Sequence, residues 1–258
     1  MRKPAPPALL PAPPILLRYA LLEVRRTLRD PGFVIFGTAM PVLMYLLFTN
    51  VGGAGGADGG TYWAISSMVG MAAYGALGSA VGTGTGIAED KSLGWLRQLR
   101  ITPIPPRQVV LGRALAGSVT VLPALLAVLT AGGLVNGVRL GAGQWAALVV
   151  LLWAGALPFT LLGIGNGYRL SAQTTGVVNV GCLMGMAVVG GLWFPVELFP
   201  GWLRSLAGYT PANRFADLGW AVTRGSAPGA LTVAVLLAWL FVFGSYAVVS
   251  YRRSARTA

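Results

Sequence analysis

Leu231 to Ser250 reads LTVAVLLAWLFVFGSYAVVS, twenty residues without a charged side chain. A helix of about 20 such residues is long enough to cross the ~30 Å hydrocarbon core of a bilayer. Working outward, five more apolar runs appear: Phe33 to Thr49, Tyr62 to Ala88, Val109 to Val135, Trp145 to Gly167 and Thr175 to Phe194. Together the six make up about half of the chain. The only charged residue within them is Arg113, near the start of the third. A charge at a span's centre costs roughly 2.5–3.5 kcal/mol on insertion scales, so this avoidance has a physical cause. The expected fold class is an all-α polytopic membrane protein with six transmembrane helices.

Composition agrees. The chain is 55% hydrophobic and 10% charged, with a mean hydropathy of +0.69, against about 25% charged residues in soluble domains. A soluble bundle of 258 residues would need charged helix faces that are missing here. Glycine is abundant at 37 residues, which in a membrane bundle lets helix backbones approach closely.

The net charge of +12 follows topology rather than nucleic-acid binding. With both termini cytoplasmic and loops alternating sides, fifteen Lys and Arg fall inside and four, Arg139, Arg204, Arg214 and Arg224, outside. That is the positive-inside asymmetry, and an even number of spans returns both ends to one side. Histidine is absent and Cys182 is the sole cysteine, which leaves no intramolecular disulfide and no plausible metal-ligand cluster.

Residues 1–14 hold six prolines and read as a disordered cytoplasmic tail. Residues 15–30 read as an amphipathic interfacial helix, with Leu17, Leu21, Val24 and Leu28 on one side and Arg18, Arg25, Arg26 and Arg29 on another. Asp30-Pro31-Gly32 breaks that helix before the six-span domain, residues 31–251, and a cytoplasmic tail, 252–258, follows. Between spans five and six, Pro195 to Pro228 is rich in aromatics and prolines, and suits short interfacial or re-entrant extracellular helices.

Two segments carry more specific information. Glu89 to Pro106, between spans two and three, reads as a cytoplasmic helix stopped by prolines. Leu93, Leu96 and Leu99 share one side, with Trp95 at its edge, and Glu89, Asp90, Lys91, Arg97 and Arg100 occupy the rest. An exposed apolar stripe of this kind suits docking to another protein. The second segment runs from Leu157-Pro158-Phe159 through Asn179 to Phe194-Pro195, then Pro200-Gly201-Trp202-Leu203 and Pro211.

In order and spacing against six spans, these segments resemble the ABC-2 family of transporter permeases, over residues 15 to 251. Arg100-Ile101-Thr102-Pro103 stands where the family ends its loop helix in Thr-Pro. Glu89-Asp90-Lys91 and Leu93-Gly94 depart from the family's usual Glu-Arg-Glu and Gly-Thr, which leaves the start of the docking helix open. The resemblance implies a permease that pairs with a second permease copy, the same or different, and docks a separate ATP-binding subunit through this helix. The substrate path it implies runs along spans one, two and five, where Tyr45, Phe48, Met68, Met71, Tyr74, Asn179, Met184 and Met186 are the candidates. Methionines and aromatics accept varied apolar shapes, and Asn179, a mid-span amide, needs a polar partner from another helix. Phe194, Pro195, Pro200, Trp202 and Pro211 mark the extracellular segment.

No ATP site and no other cofactor is expected in this chain. Gly112 to Ser118 has the glycine spacing of a phosphate-binding loop but lacks its lysine. Gly82, Gly84 and Gly86 have no surrounding βαβ unit and read as helix packing. The span serines have no His or Lys beside them to activate a nucleophile, so a membrane enzyme is disfavoured. The expected function is therefore a non-enzymatic permease subunit of an exporter, in a bacterial plasma membrane as the 17 Arg against two Lys indicate. A path read as uncharged favours an apolar or amphipathic substrate, and the resemblance implies a drug or antibiotic-like natural product. The alternatives are polysaccharide or lipid-linked glycan export, or a non-pumping immunity or assembly protein.

Overall fold

A computed structural model describes residues 22, 24–50, 59–93 and 106–257. The Pro-rich tail, half of the expected amphipathic helix and residues 94–105 lie outside that set. A π-helical segment, Phe33–Ala39, leads into α1 (Met40–Asn50). There follow α2 (Gly59–Ser92), α3 (Pro106–Val119), α4 (Val121–Leu134), α5 (Ala142–Gly155) and α6 (Leu157–Arg169). The chain continues through α7 (Ala172–Val189), α8 (Gly201–Ala207), α9 (Pro211–Thr223) and α10 (Ala230–Thr257). Six stretches are long and apolar enough to cross a membrane: Phe33–Asn50, Gly60–Ser92, Arg113–Leu134, Ala142–Arg169, Ala172–Val189 and Ala230–Ser254. Each overlaps one of the six apolar runs, and no strand occurs among the described residues. The protein is an all-α polytopic membrane protein.

Prolines explain where the spans depart from straight α-helix. Proline has no N–H for the carbonyl four residues back, and its ring clashes with that carbonyl. Pro41 sits just past the π-helical segment in span one, Pro123 just past the break at Thr120 in span three, and Pro158 just past the break at Ala156 in span four. Spans three and four are thus helix pairs rather than the single helices expected from the sequence.

The bundle is organised around α2. Its span is 83% buried, against 11% for span one, 17% for span five and 22% for span six. Glycine makes the closest packing possible. A Cβ on Gly84 would stand 2.0 Å from the Gly163 carbonyl oxygen, and one on Gly167 would stand 2.3 Å from the Gly84 carbonyl oxygen. Of the expected packing glycines, Gly84 fills that role, whereas Gly82 and Gly86 meet nothing within 4 Å. Substituting Gly84 with alanine is expected to destabilise the fold by about 3 kcal/mol, because backbone rather than a movable side chain blocks the new methyl. Thermal unfolding of the detergent-solubilised chain measures this, and an unchanged midpoint would contradict the α2–α6 packing.

Between spans five and six the two short helices differ. On α8, Trp202 is exposed, whereas α9 buries Pro211, Phe215, Ala216 and Gly219 against the bundle. Thr210 caps α9 by accepting from the Asn213 N–H at 3.3 Å. The Trp220 indole donates to the Ser66 carbonyl at 3.1 Å, and Gln144 donates to the Val222 carbonyl at 2.9 Å. With 13 residues, α9 is too short to span a bilayer by itself.

Candidate functional site

The longest departure from the sequence reading lies at Glu89. The expected docking helix does not begin there: α2 runs unbroken through Ser92 and turns at Leu93. Two of its polar groups, Asp90 and Lys91, are instead drawn into the chain's own bundle. Lys91 donates to the carbonyls of Tyr168 at 3.1 Å and Leu170 at 2.7 Å, satisfying the end of α6, where carbonyl partners are lacking and cations are favoured. Asp90 is buried. One of its oxygens accepts from Arg113, also buried, and the other from Arg26 at 2.8 Å, which is half-exposed. This ion cluster ties the chain before span one to the end of span two and the start of span three. Glu89 and Leu93 are exposed, while Trp95, Leu96, Arg97, Leu99 and Arg100 lie outside the described residues.

Beside the cluster opens a cavity of about 530 Å3. Arg26, Asp30, Phe33 and Phe36 line it before and at the start of span one, Ser79, Thr83 and Glu89 from span two, Arg113 and Thr120 from span three, and Leu183 from span five. The π-helical segment contributes Phe33, Phe36 and Gly37 to the lining, and Gly82 and Gly86 leave open space on the span-two side. π-Helical turns recur at functional sites because they displace side chains from α-helical register. Ser79, one of the lining residues, is 3% exposed, and its hydroxyl has no hydrogen-bond partner among the described residues. The expectation of an uncharged path therefore needs correction: Arg113 stands inside span three, and Asp30, Glu89 and Arg26 surround it.

The amide expected to need a partner has several. Asn179 accepts from Asn166 at 2.9 Å and donates to the Val81 carbonyl at 3.0 Å and the Thr85 hydroxyl at 3.2 Å. Tyr246 donates to the Asn166 carbonyl oxygen at 3.0 Å. Spans two, four, five and six thus meet in one satisfied polar network, in which Asn179 braces the bundle. Of the other path candidates, Tyr45, Met68 and Met71 are fully buried, and Tyr74 packs edge-on to Trp193 at 5.5 Å. Phe48 is half-buried against Phe194 at 5.8 Å, Met186 is half-buried and Met184 is exposed.

At the opposite end of the bundle, Asp217 on α9 accepts from Thr232 at 2.5 Å and Arg224 at 3.3 Å, linking α9 to α10. A cleft of about 150 Å3 there is lined by Pro195, Glu197, Asn213 and Trp220, among others. Of the extracellular-segment candidates, Pro195 borders this cleft, Phe194 and Trp202 are exposed, Pro200 precedes α8 and Pro211 begins α9.

Asn166 and Tyr246 were not singled out from sequence, and Arg26 and Arg113 were noted only as charges on the interfacial helix and in span three. A lone ionisable residue within an apolar span calls for a partner, and that rule pointed to Arg113. Asn166 offered the same kind of signal as Asn179.

The described residues form a six-span helical membrane protein with a charged cavity among spans one, two, three and five. Residues 19–218 match the family described as ABC-2 type transporter, and the chain belongs to that family. It is also 26% identical over 230 residues, 89% of this chain and 94% of the relative, to "Putative transport permease YvfS" of Bacillus subtilis (strain 168).

Proposed function

We propose that the chain is the membrane subunit of an ATP-driven exporter, working as a pair of permeases with a separate ATP-binding subunit and taking its substrate into the cavity of about 530 Å3. That cavity carries the reading. It lies at the junction of spans one, two, three and five and includes Glu89, four residues before α2 turns at Leu93 and the segment read as a docking helix departs. A partner pushing on that segment would act on the cavity wall directly. Its volume suits one drug-sized molecule, since such pockets span roughly 300–1,000 Å3, and so favours an antibiotic-like substrate over a polymeric glycan. The positive-inside count supports cytoplasmic termini and a cytoplasmic cavity. The arginine-rich composition and the bacterial relative support a bacterial plasma membrane.

Spans one and five supply the pairing surface. On α7, Val177, Gly181, Met184, Gly185 and Val188 form one exposed stripe, and nothing lies within 4 Å of a Cβ placed on Gly181 or Gly185. Glycines four apart on an apolar face let two helices approach closely. With Cys182 replaced by serine, a cysteine at Gly181 is expected to crosslink two copies in native membranes. Its absence under conditions that crosslink a control position would argue against a homodimer at this face. The function itself is tested in proteoliposomes holding the chain with its ATPase subunit. ATP-dependent accumulation of an amphipathic fluorescent substrate is expected, and ATP-independent equilibration alone would refute the exporter reading.

A further inference from the structure

Away from the cavity, two exposed arginines meet where α6 and α10 end together. Arg169 is the last residue of α6, and Arg252 lies in the closing turns of α10. Neither makes a hydrogen bond or ion pair among the described residues. The packing of the two helices fixes where they stand. A Cβ on Gly165 would lie 3.3 Å from the Ala247 backbone, so α6 and α10 run in close contact. Tyr168 then meets Tyr251 edge-on, with ring centroids 5.1 Å apart. Arg169 and Arg252 are the next residue in each helix, so they leave neighbouring stretches of backbone. Lys91 donates to the carbonyls on either side of Arg169, at 3.1 and 2.7 Å, which steadies that backbone and adds a third cation.

No carboxylate answers this charge. The sequence has no Asp or Glu between Asp90 and Glu197, and none after Asp217. Asp90 is held by Arg113 and Arg26. Glu89, two residues before Lys91, lies on another face of α2.

Position along α10 says what kind of anion can reach the corner. Phe241, Val248 and Arg252 follow one another along one exposed face, at i, i+7 and i+11. The apolar part of that face suits lipid chains, and Arg252 stands where it passes into the headgroup layer. With 28 residues, α10 is about 42 Å long, enough to carry its basic end past the ~30 Å hydrocarbon core. A soluble anion would leave the apolar face below Arg252 unused.

We propose that the corner between α6 and α10 binds the phosphate of an anionic phospholipid, with Arg169 and Arg252 as its ligands and Lys91 adding positive charge beside Arg169. Basic pockets between transmembrane helices suit such headgroups, and a guanidinium grips phosphate through two parallel N–H bonds. The inference holds whether or not the chain exports.

The full-length chain in detergent micelles is titrated with palmitoyl-oleoyl phosphatidylglycerol and, in parallel, with the phosphatidylcholine of the same chains. Native mass spectrometry counts the lipids bound. The first phosphatidylglycerol is expected to bind at least about tenfold tighter than the first phosphatidylcholine. In Arg169→Gln/Arg252→Gln its Kd is expected to rise about tenfold, roughly threefold for each exposed cation lost, with phosphatidylcholine unchanged. Arg25→Gln/Arg29→Gln removes the same charge from exposed positions before span one, and is expected to shift that Kd less than about twofold. Equal affinity for the two lipids, an Arg169→Gln/Arg252→Gln protein that binds like the parent, or equal losses in the two double variants would each overturn the proposal. So would displacement of the bound lipid by glycerol 3-phosphate at the same concentration, which would make a soluble phosphate the ligand. The comparison of the two lipids needs no variant, so misfolding cannot mask the answer.

Discussion

Replacing Asp90 with alanine is expected to destabilise the folded chain by about 3–5 kcal/mol, the cost of removing one partner from a buried ion pair. The side chains of Asp90 and Arg113 are each only 3% exposed, so water cannot take over the carboxylate's role. Much of the cost comes from leaving the Arg113 guanidinium in a buried site without its counter-charge. The double variant Asp90→Leu/Arg113→Met removes both charges and is expected to recover most of the loss, because apolar replacement of a whole buried pair is often near-neutral. Arg26→Ala is expected to cost less than about 1 kcal/mol, since its side chain is 49% exposed and solvent screens the pair. Thermal unfolding of the solubilised chain reads all three. An Asp90→Ala midpoint equal to the parent's would mean that the cluster does not hold spans two and three together.

The second large effect is expected at Leu96. Leu96→Glu places a carboxylate in the centre of the apolar stripe read as the docking surface. Desolvating a charge at a central interface position, with no partner cation, costs at least about 2 kcal/mol, or about thirtyfold in affinity for the ATPase. Transport is expected to fall to background while insertion and thermal stability stay at parental values. Normal transport by a stably inserted Leu96→Glu protein would refute the docking surface. The structure sharpens the control: Lys91 and Asp90 face inward to α6 and Arg113, so changes there disturb the fold and cannot report on docking.

Length and hydropathy made the six spans legible, because bilayer thickness imposes the same requirement on every span. The breaks within spans one, three and four were also written in Pro41, Pro123 and Pro158. A run's apolar character hid them. No helix-breaking signal precedes Glu89, and α2 accordingly continues to Ser92. Glu89 to Ser92 thus close α2, and the rest of the segment read as a docking helix, from Gly94 on, lies outside the described residues.

The site was less legible. Arg113 and Asp90 lie 23 residues apart, and sequence gives no distance between the ends of different spans. Arg113 was counted among the charges that set topology, and Asp90 among the polar residues of the docking helix. Met68 and Met71 were named for the path because the resemblance put it along span two and methionines suit apolar substrates. A helix that is apolar all round does not reveal which face is buried, and α2 buries both of them fully. Asn179 shows the opposite case. Its need for a partner was clear from its type and depth, but that Asn166, Thr85 and the Val81 carbonyl would answer it depends on packing between distant segments.

The central claim is that this chain works as the membrane half of a machine whose ATPase is a separate subunit. The most direct measurement is to tag the chain in its native host, solubilise the membranes gently and identify what co-purifies in stoichiometric amount. An ATP-hydrolysing subunit recovered in equal proportion to the chain is the result the account predicts. Recovery of the chain alone, with no ATPase activity even after mild crosslinking, would contradict it.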